Sequence, residues 1–420
     1  MLKWWMDRFR KAAQSHHGAL WIAPVLLSLS LSGCLSPIAM HRAVLEYDRT
    51  ATELEAEMLL LNIARTSHFR PLHFTTISSV AATFDFSATG GLNSLLYQRV
   101  DPPNQTVFMS VGGSIAERPT VTIIPIQGEE FTSRILTPFD ETKLAFLFQQ
   151  GIEPGILLRL MVREIVLTGG SQRTLFRNNP SRRDEYEEFR RRVYHLSSLH
   201  NNRSLYVSPI VYEEPLPITI DHKLSEGMMG TVMDASEKQY RWIAPNEHTP
   251  LVFTKRMMGR VIITNYDLHS LTNEERRQLQ REAERNPPST VLVDIRPNYP
   301  GGEYPLHGVM LLRSFNAVLR FLALGIATGP EYAVERHPAT PEGPQNPPST
   351  IQIDETDKRP TDSDFAVEYE GKWYSIKKAP RTLGARAPWN QEAFRVLAML
   401  YQVTVTDVSR VPTPAITIAK

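Results

Sequence analysis

The chain has 420 residues, 42% apolar and 22% charged, with 31 Pro, 22 Gly and one Cys. At about 150 residues per domain the length allows two or three domains, and the composition excludes wholesale disorder, a collagen-like chain and a polytopic membrane protein. The lone cysteine excludes a disulfide framework within the chain and a zinc site built on several thiolates, and 46 basic against 45 acidic residues give no electrostatic argument for nucleic acid.

Residues 1–17 carry Lys3, Arg8, Arg10 and Lys11 against one acid, Asp7, and an apolar run follows from Ala19 to Leu31. A basic flank before about a dozen apolar residues is the pattern of a secretory signal peptide. The run is too short, and too interrupted by Pro24 and serines, for a transmembrane helix, which needs about 20 apolar residues. It ends in Leu31-Ser32-Gly33-Cys34, a motif that resembles the lipobox of bacterial lipoprotein precursors. The resemblance implies that residues 1–33 are removed, with Leu31, Ser32 and Gly33 as the peptidase recognition site. It also implies that Cys34 receives a diacylglycerol on its sulfur and an acyl group on the new amino terminus. With Leu35 next, rather than Asp, the implied destination is the outer membrane, on its periplasmic face. Loss of residues 1–33 leaves 42 basic and 44 acidic side chains, a near-neutral body whose attachment rests on lipid rather than charge.

Residues 34–71 hold the anchor and one amphipathic helix over 38–66, in which apolar residues recur at three- and four-residue steps. The stripe suits a stalk, a partner-binding helix or simple packing on the chain's own domain. From 72 to 135 the period falls to two and the segment reads as a small β-rich unit. Its runs at Thr83–Ser87, Thr106–Ser110 and Thr120–Ile126 are punctuated by turns at Gly90-Gly91, Asp101–Asn104 and Gly112-Gly113. That is too few strands for one chain to close a membrane barrel, which leaves only a barrel shared among protomers. Segments around Leu59–Arg65, Pro71–Thr75 and Arg118–Gly128 are similar to stretches of uncharacterised proteobacterial outer-membrane lipoproteins, a similarity that brings no activity with it.

Residues 136–204 read as helical. A capping box is expected at Thr137–Asp140, a second helix from Pro154 past Val166 to Gly169-Gly170, and a third from Glu185 to Leu199 capped by Ser181–Asp184. In the third helix the Arg190-Arg191-Arg192 run alternates with acids at helical spacing, the pattern of a solvated, ion-paired face. Residues 205–326 read as a mixed α+β domain. Strands are expected at Leu205–Tyr212, Gly230–Met233, Gln239–Ile243, Leu251–Thr254, Arg260–Thr264 and Val291–Asp294. A helix capped by Thr272 and Glu275 lies between them, and an apolar helix over Leu306–Ile326 follows. Residues 327–364, with six prolines between Pro330 and Pro348, read as a Pro-rich linker or long surface loop. Residues 365–420 read as a hairpin turning at Glu370-Gly371, a helix over Gln391–Gln402 and a strand at Ala415–Ile418, with the strands joining the middle domain's sheet. The fold class expected is α+β.

Chemistry is sparse. No P-loop, His-Glu-x-x-His helix or G-x-S-x-G elbow occurs, and Ser375-Ile-Lys-Lys378 lies in an expected strand, where serine and lysine do not share a helix face. No catalytic residue stands out, and single histidines such as His222, His248 and His307 read as ordinary hydrogen-bonded residues. Met228, Met229, Met233, Met257 and Met258 fall within 31 residues. Thioethers are soft ligands for Cu(I), although methionine is also an adaptable core filler. The expected function is therefore a non-enzymatic outer-membrane lipoprotein serving as scaffold or assembly component of an envelope complex, with an envelope protein or further copies of itself as partner and no nucleic acid. An envelope hydrolase acting on peptidoglycan, glycan or lipid through a carboxylate pair is the alternative. A ligand carrier, with a pocket between the sheet and the apolar helix, is the third.

Overall fold

The computed structural model describes residues 41–42, 44–96, 105–169, 172–220, 240–243, 251–327, 329–378 and 388–405, and the fold is α+β. The signal run, Cys34 with its lipobox, Met228, Met229, Met233, His222, His248 and the expected strand at Ala415–Ile418 lie outside those residues. The chain divides into two compact units, one ending at Ala56 and resuming over Thr75–Pro125, the other comprising Glu57–Phe74 and Ile126 onward.

The helix expected near the anchor is present over residues 44–67 (α1). Its amino-terminal part exposes Val44, Leu45 and Leu54 and carries the i,i+4 ion pairs Arg42–Glu46 and Arg49–Glu53 at 3.1 and 2.8 Å. The rest of the first unit is a two-stranded sheet of β1 (Phe74–Leu96) and β2 (Gln105–Ile126), 23 and 22 residues long. The turns expected at Gly90-Gly91 and Gly112-Gly113 do not occur. Glycine is compatible with extended backbone, and both pairs continue their strands, so several short runs become two long ones.

The second unit is built on a seven-stranded sheet in the order β4-β3-β9-β8-β7-β5, with β6 also on β7. Its members are β3 (Val162–Gly169), β4 (Gln172–Arg177), β5 (Tyr206–Ile220), β6 (Tyr240–Ile243), β7 (Leu251–Thr264), β8 (Thr290–Ile295) and β9 (Leu306–Leu312). All neighbours are antiparallel except β7 and β8. That parallel step needs a crossover, which a helix over Asn273–Glu284 (α6) supplies. Thr272 and Glu275 close its capping box as expected. Leu279 and Ala283 of α6 bury against Ile210, Ile262 and Leu292 of the sheet.

The remaining helices are α2 (Glu129–Leu136), α3 (Glu141–Gln149), α4 (Pro154–Met161), α5 (Arg183–Asn201), α7 (Phe315–Ala327) and α8 (Trp389–Val405). Phe74 joins Phe131, Phe315 and Tyr401 in one aromatic cluster, with centroid distances of 5.0–6.3 Å from Phe74. Leu59, Leu60, Ile63 and Ala64 of α1 are buried, and Asn62 holds the turn that follows by exchanging hydrogen bonds with His73 at 2.8 and 2.9 Å.

Several boundaries differ from the sequence reading. The second helix stops at Met161, and Ile165 and Val166 lie in β3, whose β-branched content favours extension. The helix expected over Leu306–Ile326 is split. Leu306–Leu312 alternates buried and half-buried positions as β9, and α7 begins only after Ser314, whose hydroxyl accepts from the Ala317 amide at 3.2 Å. Asp140, not Thr137, caps α3, accepting from the Lys143 amide, because Pro138 is occupied in a bridge to Ser314. Leu251–Thr264 is one strand rather than two. The turn at Glu370-Gly371 is as expected, with φ of 48° and 79°, the paired positive values of a tight hairpin. Its strands β11 (Ser363–Tyr369) and β12 (Lys372–Lys377) do not join the main sheet. They form a separate three-stranded sheet with β10 (Asp354–Thr356).

β9 crosses β3 so closely at Gly308 that an added Cβ would lie 2.1 Å from the Val166 carbonyl oxygen, whereas one at Gly325 in α7 would meet nothing within 4 Å. Gly308→Ala is expected to lower unfolding free energy by about 1–3 kcal/mol. Gly325→Ala is expected to raise it by about 0.5–1 kcal/mol through helix propensity. Urea unfolding of the two variants checks the opposite signs.

Candidate functional site

Residues 329–353 of the Pro-rich segment form a long loop without helix or strand, part of which is packed into the body. Glu331, Val334, Thr340, Thr350 and Ile351 bury side chains, and the segment is held by arginines projecting from α4 and α5. Arg159 and Arg190 are each 1% exposed. The Arg159 guanidinium donates to the Pro347 and Pro348 carbonyls, both at 3.0 Å, and to Thr350 Oγ1 at 2.9 Å. Arg190 donates to the same two carbonyls at 3.0 and 2.9 Å and to Asn346 Oδ1 at 2.9 Å. Prolines bring no amide N–H of their own, so this run offers the arginines a row of acceptors.

Glu331 supplies the counter-charge. Its Oε1 lies 3.3 Å from Arg159 Nη2 and 3.6 Å from Arg190 Nη1. Oε1 also accepts from Tyr186 Oη at 2.8 Å and from Thr350 Oγ1 at 2.9 Å, and Oε2 accepts from the Thr350 amide at 2.5 Å. Burial alone would raise the Glu331 pKa, but Arg159 and Arg190 hold it below the usual range; burial brings Arg159 down to about 10. The expected solvated face of Arg190–Arg192 is thus corrected. Arg190 and Arg192 are buried, and Arg191 alone is partly exposed, pairing with Glu187 and Glu188.

A third buried guanidinium has no such partner. Arg313, 5% exposed, donates only to carbonyls, those of Arg159 at 2.9 Å, Leu160 at 3.1 Å and Asn178 at 3.0 Å. Burial lowers its pKa to about 9. Its plane lies 4.1 Å from the centre of the Phe321 ring. It lines a cavity of about 390 Å³ between the β3–β4 hairpin and α7, together with Arg163, Arg177, Arg320, Asn178 and Phe321. Asn178 donates through Nδ2 to the Arg159 and Val162 carbonyls at 2.8 and 3.1 Å, which fixes the amide orientation, and its buried Oδ1 has no partner.

A second cluster joins α6 to the sheet. The imidazole of His307 in β9 bridges Asp294 Oδ1 at 3.0 Å and Glu282 Oε1 at 2.9 Å. Asp294 Oδ2 also accepts from Tyr266 Oη at 2.5 Å and Arg296 Nε at 2.7 Å. Hydrogen bonds to Asp294 and Glu282 raise His307 to about 10, so the ring is a cation filling the space between two carboxylates, where a hydrolase would place its water. A cavity of about 670 Å³ brings Glu153 and Glu392 to one lining with Trp389 and His200. Both carboxylates already have partners, Ser197 for Glu153 and Arg395 for Glu392.

Of the methionines proposed for Cu(I), Met257 and Met258 are consecutive in β7, opposite Tyr212 and Val211. Consecutive strand residues face opposite ways, so the two thioethers do not converge on one ion. Among the described residues no group of three or more His, Cys, Asp or Glu side chains is placed to hold a metal. Sequence reasoning missed Arg159, Arg313 and Glu331. The one available signal was a charged residue inside an apolar run, at Arg159 in Ile156–Met161 and at Arg313 after Leu312. Comparison with family models, with curated proteins and with solved structures gives no match.

Glu331→Gln removes the only carboxylate between two buried cations, and a loss of about 3–5 kcal/mol in unfolding free energy at neutral pH is expected, read by urea titration. A second expectation concerns alkaline pH. Because the folded pKa of His307 lies above its ordinary 6.5, its contribution to stability is complete below about pH 6.5 and is lost as pH rises towards about 10. His307→Asn should flatten that part of the stability profile relative to the unsubstituted protein, while an unchanged slope would place the pH dependence elsewhere.

Proposed function

We propose that this chain is a lipid-anchored outer-membrane protein with a periplasmic body, serving as an assembly component of the envelope whose copies associate through β1 and β2. The observation that carries this reading is the two-stranded sheet of 23- and 22-residue strands, to which no further strand pairs among the described residues. At about 3.3 Å per residue each strand runs roughly 75 Å, far more than a small domain needs. A lone strand pair is marginal by itself and leaves a row of backbone donors and acceptors along each edge.

The sequence of these strands alternates. In β1, Val80, Phe84, Phe86 and Leu92 hold even positions, and Thr83, Asp85, Ser87 and Thr89 odd ones. In β2, Val107, Met109, Val111 and Ile115 hold odd positions, and Thr106, Ser110 and Ser114 even ones. Successive strand residues alternate in facing, and over 83–89 and 106–115 the sequence alternates between an apolar row and a hydroxyl-rich row, interrupted by Phe108. A tilted strand crosses a bilayer in about 9–11 residues. Only a closed barrel satisfies every strand's backbone there, and two strands per chain reach closure when several copies contribute. The Cys34 lipid would bring the copies to one membrane.

Cys34→Ala is expected to abolish labelling by a fatty-acid probe and to release the protein from membranes; labelling that persists would refute the anchor. For association, adjacent positions provide the contrast. Phe86→Asp, in the apolar row, should abolish cross-linked multimers in native envelopes, and Ser87→Asp, in the hydroxyl row, should leave them. Equal behaviour of the two variants, or recovery of monomer alone from the unsubstituted protein, would contradict association through the hairpin.

A further inference from the structure

We infer that the cavity between the β3–β4 hairpin and α7 binds an anionic amphiphile, its phosphate or carboxylate head set at Arg313 and Arg320 and its apolar chain along Ala317, Phe321 and Leu324. Charge is the first argument. Four guanidiniums line this cavity, and the carboxylates that reach them are Glu164, paired with Arg163 at 2.9 Å and Arg177 at 3.8 Å, and Glu185, paired with Arg177 at 3.0 Å. Arg163 and Arg177 are thereby offset, and two positive charges are left. Arg313 has no carboxylate in hydrogen-bonding reach and its Nε–H makes no hydrogen bond among the described residues. Arg320 is exposed and forms no ion pair among them. The carboxylate that acts on Arg313 from a distance is Glu331, already shared by Arg159 and Arg190; a buried cation so weakly answered is costly, and an anion arriving from solvent lowers that cost while the exposed Arg320 steers it in.

The second argument is Asn178. Its Nδ2 is fixed on two carbonyls, so the buried Oδ1 of this cavity-lining residue is an acceptor without a partner among the described residues. A head that carries an O–H beside its negative charge meets both demands, as a phosphate monoester does near its second pKa of about 6. The third is the opposite wall. Positions 317, 320, 321 and 324 of α7 share one face at helical spacing, and Arg313, just before the helix, sets its guanidinium over the Phe321 ring. Leu324 is 49% exposed, so the apolar strip opens to solvent at the far end from Arg313. An inorganic ion would leave that strip bare, and a neutral detergent would leave Arg313 and Arg320 unanswered.

Calorimetric titration of the mature chain with decyl phosphate, decanoate, inorganic phosphate and decyl maltoside tests this. At least one anionic decyl ligand should bind at one site per chain, about tenfold or more tighter than inorganic phosphate and than decyl maltoside. Preference for decyl phosphate assigns a phosphate head and preference for decanoate a carboxylate head; either supports the site. Arg320→Glu should weaken that binding about tenfold or more, while Arg320→Lys should keep it within about threefold. Arg320 is exposed, so neither variant should impair folding. Decyl maltoside binding as tightly as the anions, an affinity untouched by Arg320→Glu, or no binding of either anionic decyl ligand would overturn the assignment. Because the charge-reversed variant subtracts any chain uptake by the hairpin, the outcome is independent of whether β1 and β2 assemble.

Discussion

The second unit is organised around the desolvation of Arg159. Its guanidinium and its carbonyl act in opposite directions from one residue of α4. The guanidinium, with that of Arg190, pulls in Glu331 and the Pro347 and Pro348 carbonyls. The carbonyl accepts from Arg313 and Asn178. Without Glu331 the first set is two like charges in a low-dielectric interior. With the bonds of His195 to Thr340 and of Ser198 to the Pro341 and Glu342 carbonyls, this buried cluster orders a segment whose own composition does not bury enough apolar surface to order itself. Through the Arg159 backbone that order extends to the cavity beside α7.

The two units solve the problem of backbone and charge differently. In the second, strands pair into a sheet whose β8 is buried along its whole length, and arginines that leave solvent find carbonyls or carboxylates. Arg313 finds three carbonyls but no carboxylate in hydrogen-bonding reach, and beside it Asn178 Oδ1 has no partner among the described residues; incompletely answered groups of that kind at a cavity are where ligands are found. In the first unit, β1 and β2 pair with one another and, among the described residues, with no further strand. Unpaired strand edges are a liability in a monomer and a means of assembly when copies meet.

Much of the local structure was legible in the residues. The Thr272–Glu275 capping box, the Glu370-Gly371 turn and the Val291–Asp294 strand rest on interactions within a few positions, and the structure has them where local chemistry puts them. β3 and β9 were read as helix because Ile165-Val166 and Leu306–Leu312 are apolar runs whose period does not separate a buried strand from a buried helix. Their pairing with one another, across more than a hundred residues, decides the matter. Arg190 looked solvated because its neighbours alternate in charge. Its burial is imposed by Glu331 and Asn346, which no local pattern connects to α5. The cavity was anticipated only as a space between the sheet and the apolar helix, and its arginine lining depends on Arg313 standing between β9 and α7 rather than inside a continuous helix. For β1 and β2 the alternation was visible, but the glycine pairs disguised two long strands as several short ones.

The central claim is that the body folds on its own buried charges and leaves β1 and β2 to other copies of the chain. Native mass spectrometry of the full-length gene product, extracted from cells in mild detergent, tests it most directly. The account predicts a single closed multimer whose mass is an integral number of mature, lipid-bearing chains, and the same body as a folded monomer once residues 75–125 are deleted. A lipidated protein that stays monomeric with the hairpin intact, or a body that unfolds when the hairpin is removed, would contradict it.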